Sequence, residues 1–279
     1  MRRPSPRWSP RPRRRSAERA IGPRSEPILN IGITNPRVQR LRRLVGRRSS
    51  RSEEGVLVVE GPVFVADAVA AGWVFEFQFV APGTQPIEGA GEVVHLAEGV
   101  LGRVASTDTP QGVVAIAVRP KVSFDLLRTA SLVVVADGVA DPGNLGTMMR
   151  SAEAAGADLF VTTPGTVDAT SPKTVRSSAG AIFRIPVLEV ESLDVLRRNG
   201  LVVVGTSSHR GTAHTEFAFP ERVAVVMGSE AHGLTNDAAV DDWVTIPHLG
   251  RAESLNVAMA CTLLCFEVAR RRHDTSGTV

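Results

Sequence analysis

Val223-Ala224-Val225-Val226-Met227-Gly228-Ser229-Glu230 and, further on, Val244-Thr245-Ile246-Pro247-His248-Leu249-Gly250-Arg251-Ala252-Glu253-Ser254-Leu255-Asn256-Val257 decide the fold. Each begins as a short apolar run and empties into a loop of glycine, hydroxyl, carboxylate and amide groups. Continuous apolar runs of this length suit strands covered on both faces, as in a parallel sheet. Working outward, Leu132–Val135, Leu159–Val161 and Leu201–Val204 repeat the pattern, with helical periodicity between most of them. The last helix carries Leu255, Met259, Thr262, Phe266 and Ala269 on one stripe at spacings of four and three. The expected fold is a parallel-sheet α/β domain whose site is built by the loops after the strands.

The region upstream alternates strand and helix less strongly. Val38, Leu41 and Leu44-Val45 recur at helical spacing among arginines, giving a short basic amphipathic helix. Strands follow at Gly55–Glu60, Val74–Val80, Val93–His95 and Val113–Val118, with helices starting at Pro62 and near Glu98. Trp73, Phe75, Phe77 and Phe79 alternate in or beside the second strand, as core or as stacking surface. Arg119-Pro120-Lys121 reads as a linker. The expected organisation is an Arg/Pro-rich leader over 1–27 that does not pack, a small α/β domain over 28–120 and the larger α/β domain over 121–279.

Composition narrows the class. The chain has 279 residues, 43% hydrophobic and 22% charged, ordinary values for a globular protein. No apolar run approaches the roughly 20 residues that span a bilayer, and the N-terminus has no apolar core of a secretory signal. The formal net charge of +3 hides an asymmetry: sixteen arginines fall within residues 1–51 against only Glu18 and Glu26, so the remainder is acidic. Such a basic leader suits a nucleic-acid-seeking arm. A compositional bias explains it equally well, since only Lys121 and Lys173 are lysines. Cys261 and Cys265, one helical turn apart, read as buried thiols of a reducing, cytoplasmic compartment rather than a metal pair. His209, His214 and His232 lack metal-ligand spacing, so no metal is expected.

Familiar fingerprints are missing. No G-x-G-x-x-G follows the first strand of either half, no Walker loop is present, and Gly205-Thr206-Ser207-Ser208-His209 fails the nucleophile-elbow pattern. What remains is polar loops at strand ends. Gly228-Ser229-Glu230 lets a ligand approach the backbone, or is a simple turn with Ser229 as a cap. Glu253-Ser254-Leu255-Asn256 carries the same ambiguity, and Asp141-Pro142-Gly143-Asn144 alone is a turn. Arg150 falls inside the helix that follows, where a lone arginine is ordinarily solvated.

Their order is more specific than any one of them. Asp141-Pro142-Gly143-Asn144-Leu145-Gly146-Thr147-Met148-Met149-Arg150-Ser151-Ala152, Val225–Glu230 continuing to Gly233-Leu234, and Ile246-Pro247 through Glu253-Ser254-Leu255-Asn256-Val257-Ala258 resemble the three motifs of the SpoU family of the SPOUT superfamily, RNA ribose 2′-O-methyltransferases. The resemblance covers residues 36–272. In the first half, Val58-Val59-Glu60-Gly61 and Thr109-Pro110-Gln111-Gly112-Val113 resemble the family's ribosomal-protein-like RNA-binding domain.

That resemblance implies a C-terminal trefoil-knotted sheet domain, S-adenosylmethionine as cofactor and a homodimer through the knotted domain. It implies contact of Gly205, Thr206, Gly228, Ile246 and Leu255 with the cofactor, and catalytic work by Asn144, Arg150, Glu230, Ser254 and Asn256. The family proposes its motif-one arginine, here Arg150, as general base. A guanidinium does not readily give up its proton in proteins, so orienting ribose or phosphate and stabilising the developing alkoxide suit Arg150 better. Arg37, Arg40, Arg43, Arg47 and Arg48 on the basic helix are the candidates for RNA contact. The expected substrate is ribosomal RNA; transfer RNA, or a non-catalytic role in ribosome assembly, are the alternatives.

Overall fold

The computed structural model describes residues 30–229, 233–234 and 239–276. The leader expected over 1–27 lies outside them.

In the first half, α1 (Pro36–Gly46) starts where Asn35 accepts a 2.9 Å hydrogen bond from the Arg37 amide, with Pro36 at the first helical position. It buries Val38, Leu41 and Leu44, the stripe read from the sequence. A second short helix, α2 (Arg48–Glu54), ends at Gly55, whose φ of 65° is a left-handed cap. Then come β1 (Val56–Glu60), α3 (Pro62–Ala70), β2 (Phe75–Val80), β3 (Glu92–His95), α4 (Leu101–Val104) and β4 (Val113–Val118). The sheet runs β1-β4-β2-β3 and is mixed: β4 pairs antiparallel with β1 and β2, while β3 is parallel to β2. Phe75 and Phe79 are core, and Phe77 is half-buried.

After α5 (Leu126–Thr129) the second half alternates as expected: β5 (Leu132–Asp137), α6 (Pro142–Ala154), β6 (Leu159–Thr162), α7 (Pro172–Ser177), β7 (Val187–Glu189), α8 (Asp194–Arg198), β8 (Val202–Thr206), β9 (Thr212–Ala213), β10 (Val223–Gly228), β11 (Asp242–Thr245) and α9 (Val257–Ser276). The strands form one sheet in the order β7-β6-β5-β10-β8-β11-β9, with every pairing parallel. Every residue of β5 and β6 is buried, which explains their unbroken apolar character. The edge strands β7 and β9 are three and two residues long, too short to register as apolar runs in the sequence. β11 begins earlier than its apolar residues suggest, because Asp242 and Trp243 already pair with β8.

One apolar cluster crosses between the halves, joining Leu57, Val59 and Ala117 of the first sheet to Leu145, Ile182 and Phe183 of the second half. Polar groups lock the same seam. Arg51, only 3% exposed, pairs with Asp168 and donates to Thr170 Oγ1 at 3.2 Å and to the Val45 carbonyl at 3.2 Å. Burial pushes the Asp168 carboxyl up, but the hydrogen bonds from Arg51 and Thr170 outweigh it and hold the group below its ordinary range. Glu60 accepts from the Ser106 amide at 2.8 Å and from Arg176 at 3.3 Å. Trp73 Nε1 donates to the Phe183 carbonyl at 3.0 Å, and its ring meets Phe183 edge-on.

The final helix corrects one reading. Its packed face is Ala258, Cys261, Leu264, Cys265 and Val268, whereas Met259 and Phe266 of the expected stripe point outward with Leu263. The buried series is rotated about the axis from the sequence stripe, toward α6 and β10, on which α9 packs. The Cys261 and Cys265 sulfurs lie 3.7 Å apart, and this contact together with burial raises the Cys261 thiol well above its ordinary pKa. Among the described residues no helix is long and apolar enough to cross a membrane, and no group of His, Cys, Asp or Glu could hold a metal.

Candidate active site

Three neighbouring strands, β10, β8 and β11, end at one cleft of about 450 Å³. Thr206 comes from β8, Met227 and Gly228 from β10, and Ile246 from the loop after β11; Ser254, Leu255 and the start of α9 close the far side. Ligand clefts outside the carboxyl ends of parallel strands are the rule in this architecture, and about 300–1,000 Å³ is their usual size.

Glycine is required at two of these strand ends. A Cβ on Gly228 would stand 2.4 Å from the Gly233 carbonyl carbon, because the chain at 233–234 crosses directly over it. Ser229 and Gly233 exchange two backbone hydrogen bonds of 2.9 Å. Gly205 does not line the cleft. It sits behind Thr206, where a Cβ would press within 3.0 Å of Leu234, Trp243 and Val240. Thr206 Oγ1 donates to the Val226 carbonyl at 2.9 Å, fixing the two strand ends relative to one another. Four of the five residues expected at the cofactor therefore line the cleft: Thr206, Gly228, Ile246 and Leu255.

A different arrangement holds the expected catalytic residues. Asp141 caps α6 by accepting from the Asn144 amide at 2.8 Å. Asn256 caps α9, its Oδ1 accepting from Ala258 N at 3.0 Å and Met259 N at 3.2 Å, while its Nδ2 donates to Asn144 Oδ1 at 3.0 Å. One side chain thus pins the first turns of two helices together, and the Ser151 and Thr262 hydroxyls, 2.6 Å apart, repeat the contact two turns along. Ser254 lines the cleft beside this junction. Neither Asn144 nor Arg150 lines it; Arg150 is exposed on α6, next to Ser151, and no carboxylate among the described residues pairs with it. Glu230 lies outside the described residues, as does His232.

α7 buttresses the first turn of α6, a part the sequence reading passed over. Gly146 abuts it so closely that a Cβ would lie 2.0 Å from Ser177 Oγ, which itself donates to the Pro142 carbonyl at 2.8 Å. The preceding residue, Arg176, reaches across to Glu60 and Ser106. Ala179, two residues after the end of α7, has φ of 47°, the one non-glycine residue with positive φ among those described. The signal was Arg176-Ser177-Ser178-Ala179-Gly180, a run of small residues after a helix.

Most of the arginines expected to contact RNA are ion-paired. Arg37 pairs with Glu92 at 2.6 Å and lies 4.7 Å from the centre of the Phe77 ring; Arg40 bridges Glu54 at 2.7 Å and Glu76 at 2.5 Å; Arg43 shares Glu54 at 2.8 Å; and Arg48 lies 3.6 Å from Glu189. Glu76 raises the Arg40 guanidinium above its ordinary pKa against the opposing pull of burial, with Glu54 adding to the effect. Arg47 is exposed and has no such carboxylate among the described residues.

A mixed-sheet half joined to a parallel-sheet half whose cleft opens at three strand ends is the architecture of a SPOUT-type methyltransferase. Residues 131–266 match the SpoU rRNA Methylase family, and residues 35–115 match an MRM3-like substrate binding domain. The Bacillus subtilis 23S rRNA (guanosine(2553)-2′-O)-methyltransferase RlmP is 34% identical over 79% of this chain and 91% of its own length. A Streptomyces viridochromogenes 23S rRNA (uridine(2479)-2′-O)-methyltransferase is 30% identical over 91% and 96%. Among solved structures, the SpoU methyltransferase AviRb of that organism, in complex with AdoMet, superposes with a TM-score of 0.76 at 30% identity over 86% of this chain and 98% of that one. An AdoMet-bound rRNA methyltransferase from Sinorhizobium meliloti gives 0.75 at 32% identity, over 88% and 97%. The chain belongs to the SpoU family of RNA methyltransferases.

Proposed function

We propose that this protein transfers a methyl group from S-adenosylmethionine to a ribose 2′-hydroxyl in ribosomal RNA. The observation that carries the reading is the cleft at the ends of β8, β10 and β11, in a family whose AdoMet-bound relatives share the fold over most of the chain. Its chemistry fits the cofactor: Ile246, Leu255 and Leu264 offer apolar walls to a purine, and Thr206, Ser229 and Ser254 offer hydroxyls. A sulfonium cofactor carries no phosphate and needs no glycine-rich anion cradle.

S-adenosylmethionine, when bound, supplies a methyl group on a positively charged sulfur. The protein must align the ribose hydroxyl with that methyl, a positioning effect of up to about 7–11 kcal/mol. In our reading Asn256 and Asn144, joined across α6 and α9, set the floor on which the ribose rests, with Ser254 beside them and Glu230 as a further polar partner. Arg150 binds the ribose or its phosphate and stabilises the developing alkoxide. Residues 28–120 would deliver the RNA and residues 121–279 perform the transfer, with Arg47 the first phosphate contact and the ion-paired Arg37, Arg40, Arg43 and Arg48 flanking it.

The same reading includes a homodimer through α9. Met259, Leu263 and Phe266, spaced four and three apart, leave an apolar stripe 45–64% exposed, and Leu249 is fully exposed. The reading also includes the trefoil knot, supported by the path of the chain: β10 inserts between β5 and β8, β11 lies beyond β8, and α9 returns to pack on α6. A cytoplasmic location accords with a ribosomal substrate.

The test is transfer of labelled methyl from S-adenosylmethionine to ribosomal and transfer RNA from a strain lacking the gene, followed by digestion to nucleosides. Label in a 2′-O-methylnucleoside from ribosomal RNA is expected. Label only in transfer RNA, or in neither despite cofactor binding, would overturn it.

A further inference from the structure

Arg210 is the one side chain of fixed charge among the described residues that line the cleft. It is exposed, and its guanidinium carbon lies over the Trp243 ring, 3.4 Å from the centre. Backbone holds both partners in place. Trp243 belongs to β11, and its indole fills the space a Cβ on Gly205 would need, with Cζ3 only 2.9 Å from that position. The segment bearing Arg210 is bound to the same strand: Ser207 N donates to the Val244 carbonyl at 3.1 Å, and β9 pairs with β11 directly after Gly211. Gly211 has φ of 110°, and a Cβ there would stand 2.5 Å from the Trp243 carbonyl oxygen, so the turn requires glycine.

A separation this short is that of a flat stack. Stacking engages the face of the guanidinium and leaves its five N–H donors, which lie in its plane, to serve acceptors at the edge. That planar fork matches the paired oxygens of a carboxylate or a phosphate. We infer that Arg210, seated on Trp243, is the anion-binding side chain of the cleft. The inference rests on the function proposed above, which offers two such anions: the carboxylate of the cofactor, its only negative group, and a phosphate of the RNA. Gly205, expected at the cofactor and found behind Thr206, then acts through Trp243, by admitting the ring that carries Arg210.

Calorimetric titration of the full chain with S-adenosylhomocysteine and with its decarboxylated analogue, together with ribosomal RNA binding across a salt series, tests the inference and separates the two sources. If the anion is the carboxylate, Arg210→Ala weakens S-adenosylhomocysteine by about tenfold and leaves the analogue level. If it is a phosphate, both small molecules bind as before and the salt slope of RNA affinity falls by about one contact. In either case Arg210→Lys, which keeps the charge and loses the fork, recovers only part of the loss. Retained affinity for the decarboxylated analogue also shows that the variant cleft is intact. No change in any of the three measurements, or an equal loss of both small molecules, overturns the assignment while the cofactor reading stands. Wild-type protein that binds neither small molecule nor RNA overturns the proposed function and this inference together.

Discussion

Two helices of this molecule carry arginines in recognisable patterns, and the structure treats them oppositely. On α1, Arg37, Arg40 and Arg43 meet Glu92, Glu54 and Glu76, so a helix that looks strongly basic in isolation is largely neutralised where it sits. On α6, Arg150 is exposed, with no carboxylate among the described residues to hold it. The charges clustered on α1 are thus largely matched by carboxylates, whereas the single charge on α6 is not. The lesson extends to Arg51, counted with the basic leader by sequence and found buried in a structural ion pair.

Replacing Arg150 gives the sharpest contrast. Arg150→Ala should lower single-turnover methyl transfer by about 10²–10³-fold, as removal of a charge-stabilising group does, while calorimetric cofactor affinity stays level. A loss below threefold would make Arg150 an ordinary solvated surface arginine. Arg150→Lys separates charge from shape, and near-normal turnover in it would exclude a bidentate role.

Arg51→Met should cost about 3–5 kcal/mol in urea unfolding, because it strands the Asp168 carboxylate at the seam. Acid dependence checks the pairing. The folded-state pKa of Asp168 is depressed, so its contribution is present above the unfolded carboxylate value near about 3.9 and is lost as pH falls through the folded value. The variant should lose that segment of the acid-unfolding curve; an unaltered profile would mean that the pair does not govern it.

The smallest effects separate Arg40 of α1 from Arg47 just after it. Arg47→Ala should reduce the slope of RNA affinity against salt by about one contact. Arg40→Ala should leave that slope nearly unchanged and lower stability by under about 1 kcal/mol, the range of partly exposed ion pairs. Equal salt slopes in the two would erase the distinction between them.

These contrasts also mark what a linear sequence can reveal. The strand runs and the loops after them were legible because their residues are contiguous: Gly228, Ile246 and Leu255 each stand within a few positions of a strand or helix end. The partnerships were not. Arg37 finds Glu92, Arg51 finds Asp168 and Glu60 finds Arg176 across separations that no periodicity encodes. The face of α9 was misread for a related reason, since Met259 and Phe266 satisfy a helical apolar pattern and only the neighbours of the helix decide which side they cover. α7 escaped notice because its contribution is the close approach of Ser177 to Gly146, a matter of missing volume rather than of chemistry.

The seam between the halves bears on how a target nucleotide would be chosen. Arg51, Glu60, Trp73 and a shared apolar core fasten the mixed sheet to the parallel one. On the function proposed above, a molecule fastened in this way would work as a caliper: the span from α1 to the cleft is set by the fold, and an RNA whose grip point and reactive ribose match that span would be selected by length before any base is read.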